Sequence, residues 1–228
     1  MSELWVCNLG LVPYLEALAL QESRRAARQT DDIPDTLLLL EHPAAYTRGR
    51  RTSAEELPLG EAFYAAQGIE VLDTDRGGKL TYHGPGQLVG YPIMRIGDII
   101  GYLRTMERSI ITALAQEGIR ARGGGDRPTG VWVAGHKIAS IGVHVSRRVS
   151  THGFAVNAEN DLEPFEWIVP CGLTEVRMTS IARETGRARN IDGFRARMAD
   201  EFARAFERQR RAVSPERLVA TVAAPVPG

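Results

Sequence analysis

The chain has 228 residues, 43% of them hydrophobic, and its 28 basic side chains balance 28 acidic ones. That length suits one domain with a sizeable core, and the absence of net charge argues against a general nucleic-acid binder or a protein drawn to anionic membranes. No apolar run approaches the roughly 18–20 residues needed to span a bilayer. The start, Met1-Ser2-Glu3-Leu4-Trp5, lacks the basic residues and apolar core of a signal peptide. Two cysteines, Cys7 and Cys171, are too few for a disulfide-stapled scaffold. A cytoplasmic protein with reduced thiols is expected.

Leu4 to Asn8 reads as a short strand, and Leu11 to Gln29 as a helix with Pro13 in its first turn. Thr36 to Leu40 is a fully apolar strand candidate that ends at Glu41-His42-Pro43. Ser53 is a possible N-cap for a short helical piece over Ala54-Glu55-Glu56. Ile69 to Thr74 looks like another strand. A glycine-rich segment follows to Gln87, then an apolar strand from Leu88 to Ile96.

The clearest helix runs from Asp98 to Gln116, where Ile99, Leu103, Met106, Ile110 and Leu114 recur at three- and four-residue spacing and predict one buried face. Glycine-punctuated strands are expected over Gly130 to Ala134, Lys137 to Val145 and Gly153 to Val156. A last helix, Ile191 to Arg208, carries the stripe Phe194, Met198, Phe202 and Phe206. Helices at both ends around a strand-rich middle predict an α+β fold, with one domain over residues 1–211. From 212 to 228 the chain has several prolines and no period, which predicts a flexible tail.

Chemistry concentrates in a few segments. Cys171 lies in Val169-Pro170-Cys171-Gly172, a setting for a rigid, exposed turn. Lys137 stands in the otherwise apolar run Lys137-Ile138-Ala139-Ser140-Ile141-Gly142, where an ammonium is costly to bury without an anionic partner. A thiolate is such a partner, and it is the nucleophilic form of cysteine. The bland alternatives are a small buried thiol and a solvated strand-edge lysine. For Cys7 the bland reading is favoured.

Arg76 to Gln87 holds four glycines and a proline, a loop for close backbone approach to a ligand, and matches neither standard nucleotide-loop pattern. His83 is either a general base or a hydrogen-bonded structural histidine. His152-Gly153-Phe154-Ala155 fits the border of an apolar tunnel or ordinary core packing. No Cys/His set has zinc spacing and no serine elbow appears.

Together these segments resemble the octanoyl-acyl carrier protein:protein N-octanoyltransferases, the lipoyl(octanoyl) transferases. The likeness is collinear from about Glu41 to Ile181. It includes Glu41-His42-Pro43 with Tyr46-Thr47-Arg48-Gly49-Arg50, and Arg76-Gly77-Gly78-Lys79-Leu80-Thr81-Tyr82-His83-Gly84-Pro85-Gly86-Gln87. Further matches are Gly130-Val131-Trp132-Val133, Lys137 to Gly142, His152 to Ala155, and Pro170-Cys171-Gly172-Leu173 with Thr179-Ser180. One departure is His136, where the family more often has arginine.

The resemblance implies the biotin- and lipoate-protein-ligase fold, with a mixed, largely antiparallel sheet flanked by helices. It implies that Cys171 is the acyl-thioester nucleophile and that Lys137 lowers its pKa. Substrate contacts are implied for Arg76, Gly77, Gly78, Lys79, Leu80, Thr81, Tyr82 and His83, for Ser140, Ile141 and Gly142, and for Gly153, Phe154 and Ala155. No cofactor or metal is expected. The implied donor is octanoyl-acyl carrier protein. The implied acceptors are lipoyl domains of 2-oxoacid dehydrogenase E2 subunits and the glycine-cleavage H protein. Arg48, Arg50 and Arg51, or Arg147 and Arg148, are candidate docking arginines for an acidic carrier. The rivals are an ATP-dependent lipoate or biotin ligase, a cysteine thioesterase using His83 or His152, and an inert acyl- or carrier-binding module.

Overall fold

A computed structural model describes residues 2–125, 127–169, 176–187 and 191–220. Its strands are β1 (Glu3–Leu11), β2 (Asp35–Glu41), β3 (Ala45–Arg48), β4 (Glu70–Asp73), β5 (Thr81–His83), β6 (Gln87–Ile93), β7 (Arg122–Gly123), β8 (Gly130–Val133), β9 (His136–Ser146), β10 (Val149–Asn157) and β11 (Gln209–Ala212). The helices are α1 (Tyr14–Gln29), α2 (Glu61–Ala66), α3 (Ile99–Ala115), α4 (Ile181–Thr185), α5 (Ile191–Ala205) and α6 (Pro215–Ala220).

The main sheet has eight strands in the order β11-β1-β2-β6-β10-β9-β8-β7. Only β11–β1 and β1–β2 pair in parallel; the rest of the sheet is antiparallel. β2 explains why its leucines run without a polar break. Leu37 and Leu39 face the layer of α3 and α5, while Leu38 and Leu40 face the layer that includes Ala17 and Ala27 of α1. A central strand covered on both faces has no solvent side to alternate toward. A second sheet, β4-β3-β5, lies over a smaller core that includes Tyr46, Tyr64, Tyr82 and Phe165.

The α3 stripe needs one correction. Tyr102, Met106, Ile110 and Leu114 are buried, but Ile99 is 47% exposed. Helical spacing assigns a side to a residue; it does not say where the covering sheet stops, and Ile99 stands in the first turn. Asp98 caps that turn by accepting from the backbone N–H of Ile100 and Gly101.

The tail expected from Ala212 is structured up to residue 220. β11 adds to the edge of β1, and in α6 Leu218 is fully buried beside Trp5 and Ala17. Pro215 opens that helix instead of breaking it, as proline does in a first turn. Residues 221–228 lie outside the described residues. The β9–β10 hairpin closes on Arg147 and Arg148, whose φ values of 47° and 65° mark a primed turn matched to strand twist. Among the described residues, no helix is long and apolar enough to cross a membrane.

Candidate active site

A cavity of about 790 Å³ opens between the main sheet and the glycine-rich loop. Its sheet wall is a trough of small side chains. In the β9–β10 register, Ser140 stands opposite Ala155 and Gly142 opposite Gly153, so alternate positions on one face carry almost no volume. The neighbouring Phe154 turns into the α3–α5 core beside Phe202. Its ring covers Gly90, where a Cβ would come within 2.1 Å of it. A Cβ on Gly153 would meet the Gly90 carbonyl oxygen at 2.2 Å, so that position has room only for glycine.

The opposite wall is the segment Arg76 to Leu80, pinned at both ends and in the middle. At its start, Asp75 accepts from His152 Nε2 at 2.6 Å. In the middle, Gly77 N–H donates to the Val143 carbonyl at 3.0 Å, using the part of β9 that β8 does not cover. At its end the buried Glu56 carboxylate accepts from Leu80 N–H and Lys79 Nζ, both at 3.0 Å. Arg76 lies inward, with Nη2 donating to the Thr47 carbonyl at 2.5 Å and hydroxyl at 2.8 Å.

All the residues expected to contact substrate line this cavity except Tyr82. In β5 the side chains alternate: Thr81 and His83 face the cavity, while Tyr82 packs against Tyr46 and Phe165 at 5.6 and 5.4 Å between ring centres.

The inner part of the site is a buried polar cluster that sequence reading did not assemble. His42 Nδ1 donates to the Val12 carbonyl at 2.6 Å, which leaves Nε2 to accept from Tyr91 Oη at 2.7 Å. Gln87 commits its amide N–H groups to the Tyr82 carbonyl and Asn157. Its oxygen therefore accepts from His83 Nδ1, at 2.8 Å. Burial pushes His42 down to about 4, keeps His83 well below the usual imidazole value, and raises Tyr14 to about 12. All three are neutral at pH 7.

His152 is 1% exposed and sits at φ 56°, the left-handed region that non-glycine residues avoid. The Gln21 side chain holds its backbone N–H at 2.7 Å, and Tyr14 Oη lies 3.4 Å from Nδ1. Tyr14, Tyr91 and His152 line the cavity. For Glu56, which sequence reading also missed, the available signal is its spacing from Ser53, that of a capping box. The Ser53 N–H does reach Glu56 at 3.4 Å.

Lys137 lines the same cavity and is 3% exposed, with Nζ 5.6 Å from the centre of the Trp132 ring. Its backbone N–H donates to Arg177 O at 2.9 Å and its carbonyl accepts from Thr179 N–H at 3.0 Å. Residues 177–179, beyond Cys171 in the sequence, are thus paired to the lysine's own strand. On the other side, Val169 N–H donates to the Glu56 carbonyl at 3.0 Å. Cys171 itself, with Pro170 and residues 172–175, lies outside the described residues. Cys7 is buried, which pushes its thiol up to about 11 and leaves it un-ionised at neutral pH. His136 is exposed. Of the candidate docking arginines, Arg48 is tied to Glu61 and Asp73, Arg51 borders the cavity, and Arg147 and Arg148 stand at the hairpin tip. Among the described residues no group of three His, Cys, Asp or Glu side chains is arranged to hold a metal.

This sheet, with its loop-roofed cavity, is the α+β architecture of lipoate- and biotin-protein ligases. The structure matches a lipoate-protein ligase A crystallised with ATP at a TM-score of 0.78, with 19% identity and coverage of 97% of this chain and 93% of that one. It matches a biotin protein ligase from Aquifex aeolicus at 0.51, with 10% identity and coverage of 91% and 70%.

A family model described as the lipoyl protein ligase A/B catalytic domain matches residues 13–203, and the chain belongs to that family. Octanoyltransferase of Mycobacterium tuberculosis (strain ATCC 25618 / H37Rv) is 45% identical over 213 residues, covering 91% of this chain and 89% of the relative. Octanoyltransferase of Myxococcus xanthus is 43% identical over 220 residues, covering 92% and 61%.

Proposed function

We propose that this acyltransferase moves an octanoyl group from octanoyl-acyl carrier protein to a lysine of lipoyl domains through a thioester on Cys171. The observation that supports the reading most is Lys137: a buried ammonium in the cavity, on a strand paired with Arg177 and Thr179, six and eight positions after Cys171 in the sequence. Such a cation favours a thiolate over a thiol.

The Cys171 thiolate attacks the thioester carbonyl, and the tetrahedral oxyanion collapses with departure of the carrier's thiolate. The lysine ε-amine of the acceptor then attacks the octanoyl-Cys171 thioester. An amide forms, the amine gives up a proton, and Cys171 departs as the thiolate. Thioester to amide is downhill, so the reaction draws on no ATP. Lys137 as the ammonium stabilises the thiolate in the first half and gives its proton to the departing carrier thiolate. The neutral amine so formed then takes the proton of the acceptor amine in the second half, which restores the ammonium. The Gly77 and Leu80 amides are committed to Val143 and Glu56, which leaves the Gly78 and Lys79 amides as donors for the oxyanion. The small-residue trough over Ser140, Gly142, Gly153 and Ala155 takes the acyl chain, and Arg76 to His83 form its other side.

The acceptors in this reading are lipoyl domains of 2-oxoacid dehydrogenase E2 subunits and the glycine-cleavage H protein. The enzyme works in the reducing cytoplasm, where Cys171 remains a thiol. The test is transfer from octanoyl-carrier protein to a lipoyl domain without nucleotide, read as the mass of the lipoyl domain. One octanoyl amide per domain is expected. Transfer that needs ATP and free octanoate, with the thioester donor inert, would instead make the enzyme a ligase.

A further inference from the structure

In a chain whose charges balance, 28 against 28, the cavity is lined by five cationic side chains, Arg51, Arg76, Lys79, Arg127 and Lys137, and by no carboxylate among the described residues. Three of them have evident work inside the site. Arg76 is held on Thr47, Lys79 on Glu56, and Lys137 is buried beside Trp132. Arg51 and Arg127 differ: both are exposed at the rim, and neither guanidinium meets a carboxylate among the described residues.

Each is anchored at one point, Arg51 through its backbone and Arg127 through its side chain. Arg51 N–H donates to the Gly78 carbonyl at 3.0 Å, which anchors its backbone, and so the root of its side chain, to the loop wall. The Arg127 guanidinium stacks over Trp132 at 5.2 Å from the ring centre, a contact that limits its freedom without using its N–H donors. Ile99, 47% exposed, borders the same cavity. Two guanidinium forks at the mouth of a cavity lined by no carboxylate among the described residues suit a phosphate oxyanion, which arginine binds through paired charge-assisted hydrogen bonds. An octanoyl thioester carries no charge, so the acyl group itself gives them nothing to bind.

We infer that Arg51 and Arg127 form a phosphate subsite at the cavity mouth, and that the donor is recognised as a phosphorylated thioester arm and not as an acyl thioester alone. This rests on the thioester-transfer reading above. The chemistry is shared by two sources, a phosphopantetheine arm on a carrier protein and coenzyme A.

The test compares octanoyl-pantetheine, octanoyl-phosphopantetheine, octanoyl-coenzyme A and octanoyl-carrier protein as donors to the full-length enzyme. The readout is kcat/KM for formation of the acyl-enzyme, for the parent and for Arg51→Gln, Arg127→Gln and the double variant. The parent is expected to favour phosphopantetheine over pantetheine about a hundredfold, and each substitution to cut that ratio about tenfold, the effect of losing one charge-assisted bond. A matching loss with the carrier assigns the subsite to the carrier's arm, and a loss confined to coenzyme A assigns it to a nucleotide-bearing donor. Equal kcat/KM for the two pantetheines, or variants that slow both alike, overturns the subsite while leaving acyl transfer standing. Failure of every donor to form an adduct overturns the thioester reading and the subsite with it.

Discussion

The two walls of the cavity are built on opposite principles. The sheet wall, Ser140 and Gly142 against Ala155 and Gly153, is set by backbone register and by the absence of side chains. The loop wall, Arg76 to Leu80, has no ladder of its own and is held by Asp75 on His152, Gly77 on Val143, and Glu56 on Leu80 and Lys79. Perturbing the first changes volume at a rigid surface. Perturbing the second releases a segment. The difference teaches that shape at this site comes from the sheet, while the position of the polar groups comes from pins contributed by distant parts of the chain.

The largest effect is expected at the sheet wall. Gly153→Ala places a Cβ 2.2 Å from a backbone oxygen of β6, which has no flexible end to move aside. A loss of about 3 kcal/mol in urea unfolding is expected; a change within experimental error would show that the two strands do not approach so closely.

Where the walls meet, the neutral histidines make stability depend on acid. With His42 down at about 4 in the folded protein and near its ordinary 6.5 when unfolded, the unfolded chain binds more protons below pH 6.5. Stability should therefore be complete above that value and fall toward pH 4, by at most about 1.4 kcal/mol per pH unit for each such histidine. His83 adds to the slope in the same direction. Urea midpoints that stay flat from pH 7 to pH 5 would contradict the neutral cluster.

At the loop wall, Glu56→Ala leaves the Leu80 N–H without its acceptor and Lys79 without its carboxylate. Because Lys79 is 36% exposed, solvent screening limits the cost to about 2 kcal/mol. The more telling readout is kinetic. A released loop should raise the KM for the acyl donor, and Glu56→Gln, which keeps an acceptor, should restore part of it. An alanine variant that is less stable but keeps its KM would reduce Glu56 to a structural role.

The smallest expected effect concerns the thiol. Lys137→Ala should raise the pH at which Cys171 is alkylated by about one unit, equivalent to about 1.4 kcal/mol. An unchanged profile would remove the ammonium from the chemistry.

What the sequence made legible follows the same division. The four leucines of β2 and the Met106, Ile110 and Leu114 side of α3 are local patterns, and the collinear motifs point to residues that line one cavity; the alternation of β5, inside a stretch that reads as a glycine-rich loop, is not such a pattern. Tyr82 was swept in with its neighbours because a motif does not record which face a residue takes. The pins were not legible: His152 meets Gln21 and Asp75, and Glu56 meets Leu80, across sequence gaps that no periodicity spans. Leu218 is buried for a similar reason, since its partners on β1 and α1 lie at the other end of the chain.

The central claim is a covalent octanoyl-Cys171 intermediate. The most direct measurement is the intact mass of the enzyme after incubation with octanoyl-carrier protein and no acceptor. The account predicts one added octanoyl group, lost on addition of a lipoyl domain and absent from Cys171→Ser. An unmodified parent enzyme, together with a Cys171→Ser variant that transfers as fast as the parent, would contradict it.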